Sequence, residues 1–221
     1  MDTTMKVTTA TAPERVACAA VPPAARVTMA LTGSLLAGVL TSFGQAVPGL
    51  STVSNSAGPW FVVAVLLCML AGVRAGRVAL PLAMLLGVVL LELMHVGYWA
   101  TTNLRGFPDV LSVTNFWVLM GIPAGVLAGA VAVAVRDRAT RWRGAALGAT
   151  AAVLVGEGVR ALLQVADTTG PVTWVVEIVV GVVLLAVAVL TARDLLGRVV
   201  ALGVGVLGTV GVLGFFLALG G

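Results

Sequence analysis

The sequence predicts an all-α, polytopic membrane helix bundle, and three observations carry that prediction. Of 221 residues, 60% are hydrophobic and 10% charged, with mean hydropathy +1.11, whereas a soluble domain carries roughly a quarter charged residues. Seven apolar runs approach the length of about 20 residues that one bilayer crossing needs. Basic residues gather in alternate joints between those runs, the arrangement that membrane topology imposes. A water-soluble protein and a separate soluble domain are thereby excluded. Nucleic-acid binding is not expected either, because the formal charge of +4 follows from topology.

The runs extend from Val27 to Val47, Pro59 to Val73, Val78 to Ala100, Leu111 to Val135, Gly144 to Ala166, Pro171 to Ala192 and Val199 to Ala218. The second is short and the last turn tight, so six helices with one re-entrant segment is the alternative count. Lys6, Arg15 and Arg26 precede the first run, and Arg74 and Arg77 follow the second. Arg136, Arg138, Arg141 and Arg143 follow the fourth, and Arg193 and Arg198 the sixth. All fall on one side, whereas the joints of the other side hold Arg105 as their one basic residue, in a loop with Asp109. The positive-inside rule then places the N-terminus in the cytoplasm and the C-terminus outside.

Residues 1–26 are Thr/Ala-rich, contain Pro13, Pro22 and Pro23, and lack an apolar run before a small-residue cleavage site. They are expected to form a disordered cytoplasmic tail rather than a removed signal, leaving residues 27–221 as one transmembrane domain. Cys18 falls in that tail and Cys68 deep in an apolar run, so neither a disulfide framework nor a cysteine metal site is expected. Gly121, Gly125 and Gly129, and Gly205, Gly208, Gly211 and Gly214, recur at intervals that let helix backbones approach closely in lipid. A compact monomeric bundle explains them more simply than a dimer seam. No internal repeat supports an inverted-repeat transporter.

Charged residues inside a span are costly and mark sites. Glu92, His95 and Trp99 share one face of the third helix, while Glu157, Arg160, Gln164 and Asp167 make a stripe on the fifth. Trp174 and Glu177 form a shorter stripe on the sixth. Counting from the outer ends, the three glutamates lie roughly 9 to 14 Å deep at 1.5 Å per residue, in one layer of the outer half. Ser42, Gln45, Asn55, Ser56 and Asn115 sit at or above that layer, with an almost wholly apolar inner half below. A pocket closed below and open above or sideways fits this better than an ion channel, which needs polar lining at both depths.

Aromatic residues concentrate at the same level: Trp60, Phe61, Tyr98, Trp99, Phe107, Phe116, Trp117 and Trp174. An interfacial belt accounts for many of them, but Trp99 and Trp174 share faces with glutamates and are expected to look inward. Simple structural roles compete for the acids as well. Glu157 with Arg160 reads as an ion pair pinning helices, and Glu92 with His95 as a helix-to-helix hydrogen bond. Glu177 has no local cation and is the candidate for a neutral carboxylic acid. One histidine excludes His-pair metal sites and HExxH, and no metal or cofactor is expected. The last run has no lysine for a retinal Schiff base, and there is no GxSxG elbow and no GxxxxGK[ST] loop. An intramembrane serine protease would have to pair Ser51, Ser54 or Ser56 with His95.

The stretch from Gly44 to Gly129 resembles an uncharacterised family of small multi-pass membrane proteins common in actinobacteria. The residues that carry the resemblance are Asn55-Ser56-Ala57-Gly58-Pro59-Trp60, Glu92 with Gly97-Tyr98, Leu104-Arg105-Gly106 and Phe116-Trp117, and it extends through Gly156-Glu157-Gly158 to Glu177. A GC-rich coding bias, with twelve arginines to one lysine, agrees with that source, and a plasma membrane is expected. The family supplies no established chemistry. The layout and size also resemble the small seven-helix membrane-bound terpene cyclases, in architecture alone, with no aligned motif.

That second resemblance implies protonation-initiated cyclisation of a farnesyl-like chain on a small acceptor. Such chemistry needs a neutral acid, a dry cavity and aromatic faces for the cation. Glu177 or Glu92 would donate the proton, and Glu157 with Arg160 would hold the polar network. Trp60, Trp99, Trp117 and Trp174 would shape the cavity, with Tyr98, Asn55 and His95 as further binding residues. The alternative is a substrate-binding membrane component or small transporter with an outward-facing pocket, which would need a partner subunit because the chain has no nucleotide-binding loop. A non-catalytic scaffold is the third reading. Both leading readings expect a lipophilic small-molecule ligand and contact with membrane lipid.

Overall fold

The computed structural model describes residues 21–73 and 79–218. These residues form nine helices: α1 (Pro23–Gly44), α2 (Ser51–Ser54), α3 (Ala57–Leu70), α4 (Ala79–Leu104), α5 (Phe116–Ala134), α6 (Thr140–Gln164), α7 (Ala166–Thr169), α8 (Val172–Thr191) and α9 (Leu195–Ala218). Six of them, all but α2, α3 and α7, are long and apolar enough to cross a bilayer. The chain is therefore a multi-pass membrane protein.

The second run departs from the expected crossing. Helix α3 has 14 residues, a rise of about 21 Å against a hydrocarbon core of about 30 Å. The structure has six full-length apolar helices and one short one. Other boundaries shift for local reasons. Pro22 and Pro23 start α1 ahead of the expected tail boundary, since proline suits the first helical turn, so residues 23–26 are helical rather than tail. The rest of the expected tail with Lys6, Arg15 and Cys18, and the joint residues Arg74 and Arg77, lie outside the described residues. Helix α5 begins at Phe116 rather than Leu111, because the Asn115 side chain accepts from the Trp117 amide at 2.9 Å and caps it there. Asp194 does the same for α9, accepting from the Gly197 amide at 2.6 Å.

Side-chain contacts show which helix ends lie together. The Arg136 guanidinium at the end of α5 donates to the carbonyls of Met69 (2.7 Å) and Val73 (3.4 Å) after α3. Arg26 of α1 lies beside Gly72, and Gly197 of α9 beside Thr140 of α6. That end also bears Arg138, Arg141, Arg143, Arg193 and Arg198. At the opposite end Ser42 of α1 bonds Thr102 of α4 at 2.9 Å, and Thr52 of α2 bonds the Thr169 carbonyl at 3.3 Å.

Two close-packed seams organise the bundle. Helix α4 is gripped between α1 and α5, and α6 between α8 and α9. A side chain at Gly125 or Gly129 would overlap the backbone of α4, and one at Gly97 the backbone of α1. Gly205 and Gly208 meet Leu185 and Ala152, whereas Gly211 and Gly214 face open space. The α5 glycines thus build an internal seam, and the α9 glycines do so over half their length. Phe61, Ala64 and Cys68 of α3 pack with Leu90 and Met94 of α4 and Ala30 of α1 in the buried core.

Candidate functional site

The site is organised by the place where α3 begins. Its first amides have no partner within the helix, and the chain before them passes from exposed Asn55 to fully buried Ser56. Glu157 supplies the missing acceptor from α6. Its Oε1 accepts from the Ala57 amide at 2.7 Å and its Oε2 from the Gly58 amide. A carboxylate at a helix N-terminus also meets the favourable end of the helix dipole. Glu177 of α8 accepts from the Ser56 hydroxyl, 3.1 Å from either carboxyl oxygen. A Cβ on residue 58 would collide with that carboxyl, so the close approach requires glycine there.

Glu157 therefore does pin helices, though not through Arg160. The Arg160 side chain bonds Gln164 at 2.7 Å and lies 4.9 Å from the ring centre of Phe216. Trp174 is buried as expected, but its indole N–H donates to Thr169 at 2.9 Å and its backbone packs on Gly158. Among the described lining residues, neither Trp174, Arg160 nor Glu177 faces the cavity described next.

That cavity, about 720 Å³, is bordered by α3, α4, α5, α6 and α9. Of the predicted site residues, Asn55, Trp60, His95, Tyr98, Trp99, Trp117 and Glu157 line it. Hydrogen bonds fix most of these groups. Tyr98 donates to Gln45 at 3.0 Å, Gln45 donates to Asn55, and Asn55 donates to the Ser51 carbonyl at 3.0 Å. Trp60 donates to the Ser54 carbonyl at 3.3 Å and Trp99 to the Asp109 carbonyl at 3.0 Å. The rings are thus held by their polar edges, leaving apolar faces for an occupant.

Glu92 and His95 behave differently from the Glu157 and Glu177 pair. The imidazole Nδ1 lies 3.6 Å from Glu92 Oε2, one turn along the same helix, so the pair does not join two helices by a hydrogen bond as the sequence suggested. His95 lies 5.0 Å from the Trp60 ring, tilted by 45°, and lines the cavity. The Glu92 carboxyl lies behind it, against the bare backbone of Gly121, where any side chain would collide with it. Its Oε1 and the His95 Nδ1 are buried without a hydrogen-bond partner, an arrangement that buried polar atoms rarely tolerate.

Sequence reasoning missed Phe215 and Phe216 of α9 and Met120 and Leu127 of α5, which complete the wall. The adjacent phenylalanines at the end of the last apolar run were the available signal. Helices α5 and α9 border the cavity yet barely pack on each other, meeting where Phe116 and Phe216 lie 6.4 Å apart.

These features define a class, a multi-pass membrane protein with an aromatic chamber beside an interrupted helix. Residues 18–221 match a family of unknown function (DUF6518), and the chain belongs to that family. Comparison with curated proteins and with solved structures gave no match.

Proposed function

We propose that this is a plasma-membrane protein that holds a lipophilic small molecule in the chamber between α5 and α9. The single observation that carries the reading is the chamber itself: about 720 Å³, within the range of small-molecule sites, with walls that include Trp60, Tyr98 and Trp99, whose polar edges are engaged by hydrogen bonds. The arginines at the opposite end support a cytoplasmic N-terminus and an extracytoplasmic C-terminus. In that orientation α3 is the seventh, incomplete crossing and the chamber lies in the outer half. The sparse contact between α5 and α9 gives a lipophile a sideways path from the bilayer. As a binding component, the protein would hand its ligand to a partner subunit.

A second reading, protonation-initiated terpene cyclisation, is favoured by one observation, the His95 and Glu92 pair at an aromatic wall. His95, positioned by Glu92, would transfer a proton to the terminal double bond or epoxide of a prenyl chain. The carbocation would pass along Trp60, Trp99 and Trp117 and return a proton on forming the ring alkene. Glu177 is not the donor in this scheme, because it lies behind Ser56.

The test compares the purified protein with Gly211→Phe, which adds bulk where the chamber is open. Solvent extraction and mass spectrometry should find a co-purified lipophile in the first and not in the second. Conversion of a farnesylated acceptor to a cyclised skeleton by the protein alone would select the cyclase reading. A folded protein that carries and converts nothing, in either form, defeats both.

A further inference from the structure

We propose that the occupant carries positive charge while bound, so that the ligand class is a lipophilic organic cation such as a quaternary or protonated alkylamine. The inference rests on the chamber being a binding site and adds its charge preference. Three independent observations lead to it.

First, Trp60, Tyr98, Trp99 and Trp117 bring four aromatic side chains to one chamber, and ring faces attract cations, more strongly when desolvated. Second, the ionisable side chains among the described lining residues are Asp109, His95 and Glu157, with no lysine or arginine. Both arginines of this end are already paired, Arg160 against the ring of Phe216 on the chamber wall. Arg105 donates to the Ser42 carbonyl and hydroxyl and lies over the rings of Phe43 and Phe107, and Arg160 is held by Gln164. Third, Glu92 Oε1 is buried without a donor, and α5 presents a glycine to it. That carboxyl lies behind His95 rather than in the wall, so it acts on an occupant through its field, and an anion would meet the carboxyl groups of Asp109 and Glu157 with no lysine or arginine in the described lining to offset them. A cation satisfies the field of the carboxyl through the intervening imidazole and stacks on the rings at the same time.

The test uses the full chain in lipid nanodiscs and three probes with one chain length: decyltrimethylammonium, the isosteric hydrocarbon in which carbon replaces nitrogen, and decyl sulfate. Binding is read as ligand-dependent thermal stabilisation, with Gly211→Phe defining what belongs to the chamber. The ammonium should bind at least about ten-fold tighter than either other probe, equivalent to ~1.4 kcal/mol. Glu92→Gln should reduce that preference several-fold without abolishing hydrocarbon binding. Asp109→Asn, a second variant at the far side of the chamber, should reduce it less. Equal binding of ammonium and hydrocarbon, both blocked by Gly211→Phe, overturns the charge inference and leaves the chamber standing. Binding of every probe unaffected by Gly211→Phe overturns the chamber reading beneath it.

Discussion

Glu157 and Glu92 are both glutamates in the middle of apolar helices, and the protein treats them oppositely. Glu157 is 2% exposed and its two oxygens meet two backbone amides that would otherwise be orphaned at the start of α3. Glu92 has a half-buried side chain whose inner oxygen meets nothing. The difference teaches how to separate structural from functional charge in a membrane bundle. An acid whose hydrogen bonds close a break in the backbone is part of the fold, whereas an acid without such bonds, one layer behind a cavity wall, is a candidate for function.

Five substitutions break or sharpen that contrast. The largest effect is expected for Glu157→Ala, which strands both amides and empties a filled space. Charge-assisted hydrogen bonds contribute about 1.5–3 kcal/mol each, so a loss of about 3 kcal/mol or more should appear as a much lowered melting temperature. Glu157→Gln, which keeps one acceptor, should recover about half. Next comes Gly125→Leu, which forces a side chain into the backbone of α4; overpacking of this kind costs about 1–3 kcal/mol and should leave ligand preference unchanged in whatever protein folds. Ser56→Ala removes the donor to Glu177 and is expected to cost about 1 kcal/mol. Glu92→Gln should shift the melting temperature least, by the equivalent of about 0.5 kcal/mol, while changing ligand selectivity most. A Glu92→Gln protein as unstable as Glu157→Ala would erase the distinction.

Much of this architecture was legible in the sequence for a plain reason: hydropathy is a one-dimensional signal, and a bilayer converts it directly into helices. Six of seven expected crossings stand as long apolar helices, with ends moved by caps at Asn115 and Asp194. The second run, expected to be short, is the 14-residue α3, and apolar composition says nothing of where such a helix begins inside a bundle. That start is capped by Glu157, a hundred residues further on. Helical periodicity placed Glu92 and His95 on one face, yet the same periodicity suggested Glu157 with Arg160, which the structure separates. Spacing along one helix shows which side chains are able to meet, while the neighbours on other helices, Ala57 and Gly58 for Glu157 and Phe216 for Arg160, decide which do. Trp174 illustrates the same limit: facing inward was correct, but Thr169 and Gly158 hold it away from the chamber.

The bland half of the molecule also carries meaning. Glycines along the α4 and α5 seam bring backbones together toward the arginine-rich end, while α9 keeps Gly211 and Gly214 facing open space. Void and rigidity are thus divided between two ends of one bundle, and the chamber sits where the packing is interrupted.

The most direct measurement is the position of a bromine-labelled lipophile in an experimental density map of the protein. The account predicts bromine density enclosed between Trp60, Trp117 and Phe216, with α5 and α9 still apart. Density confined to the lipid-facing surface, with those three side chains collapsed onto one another, would contradict it.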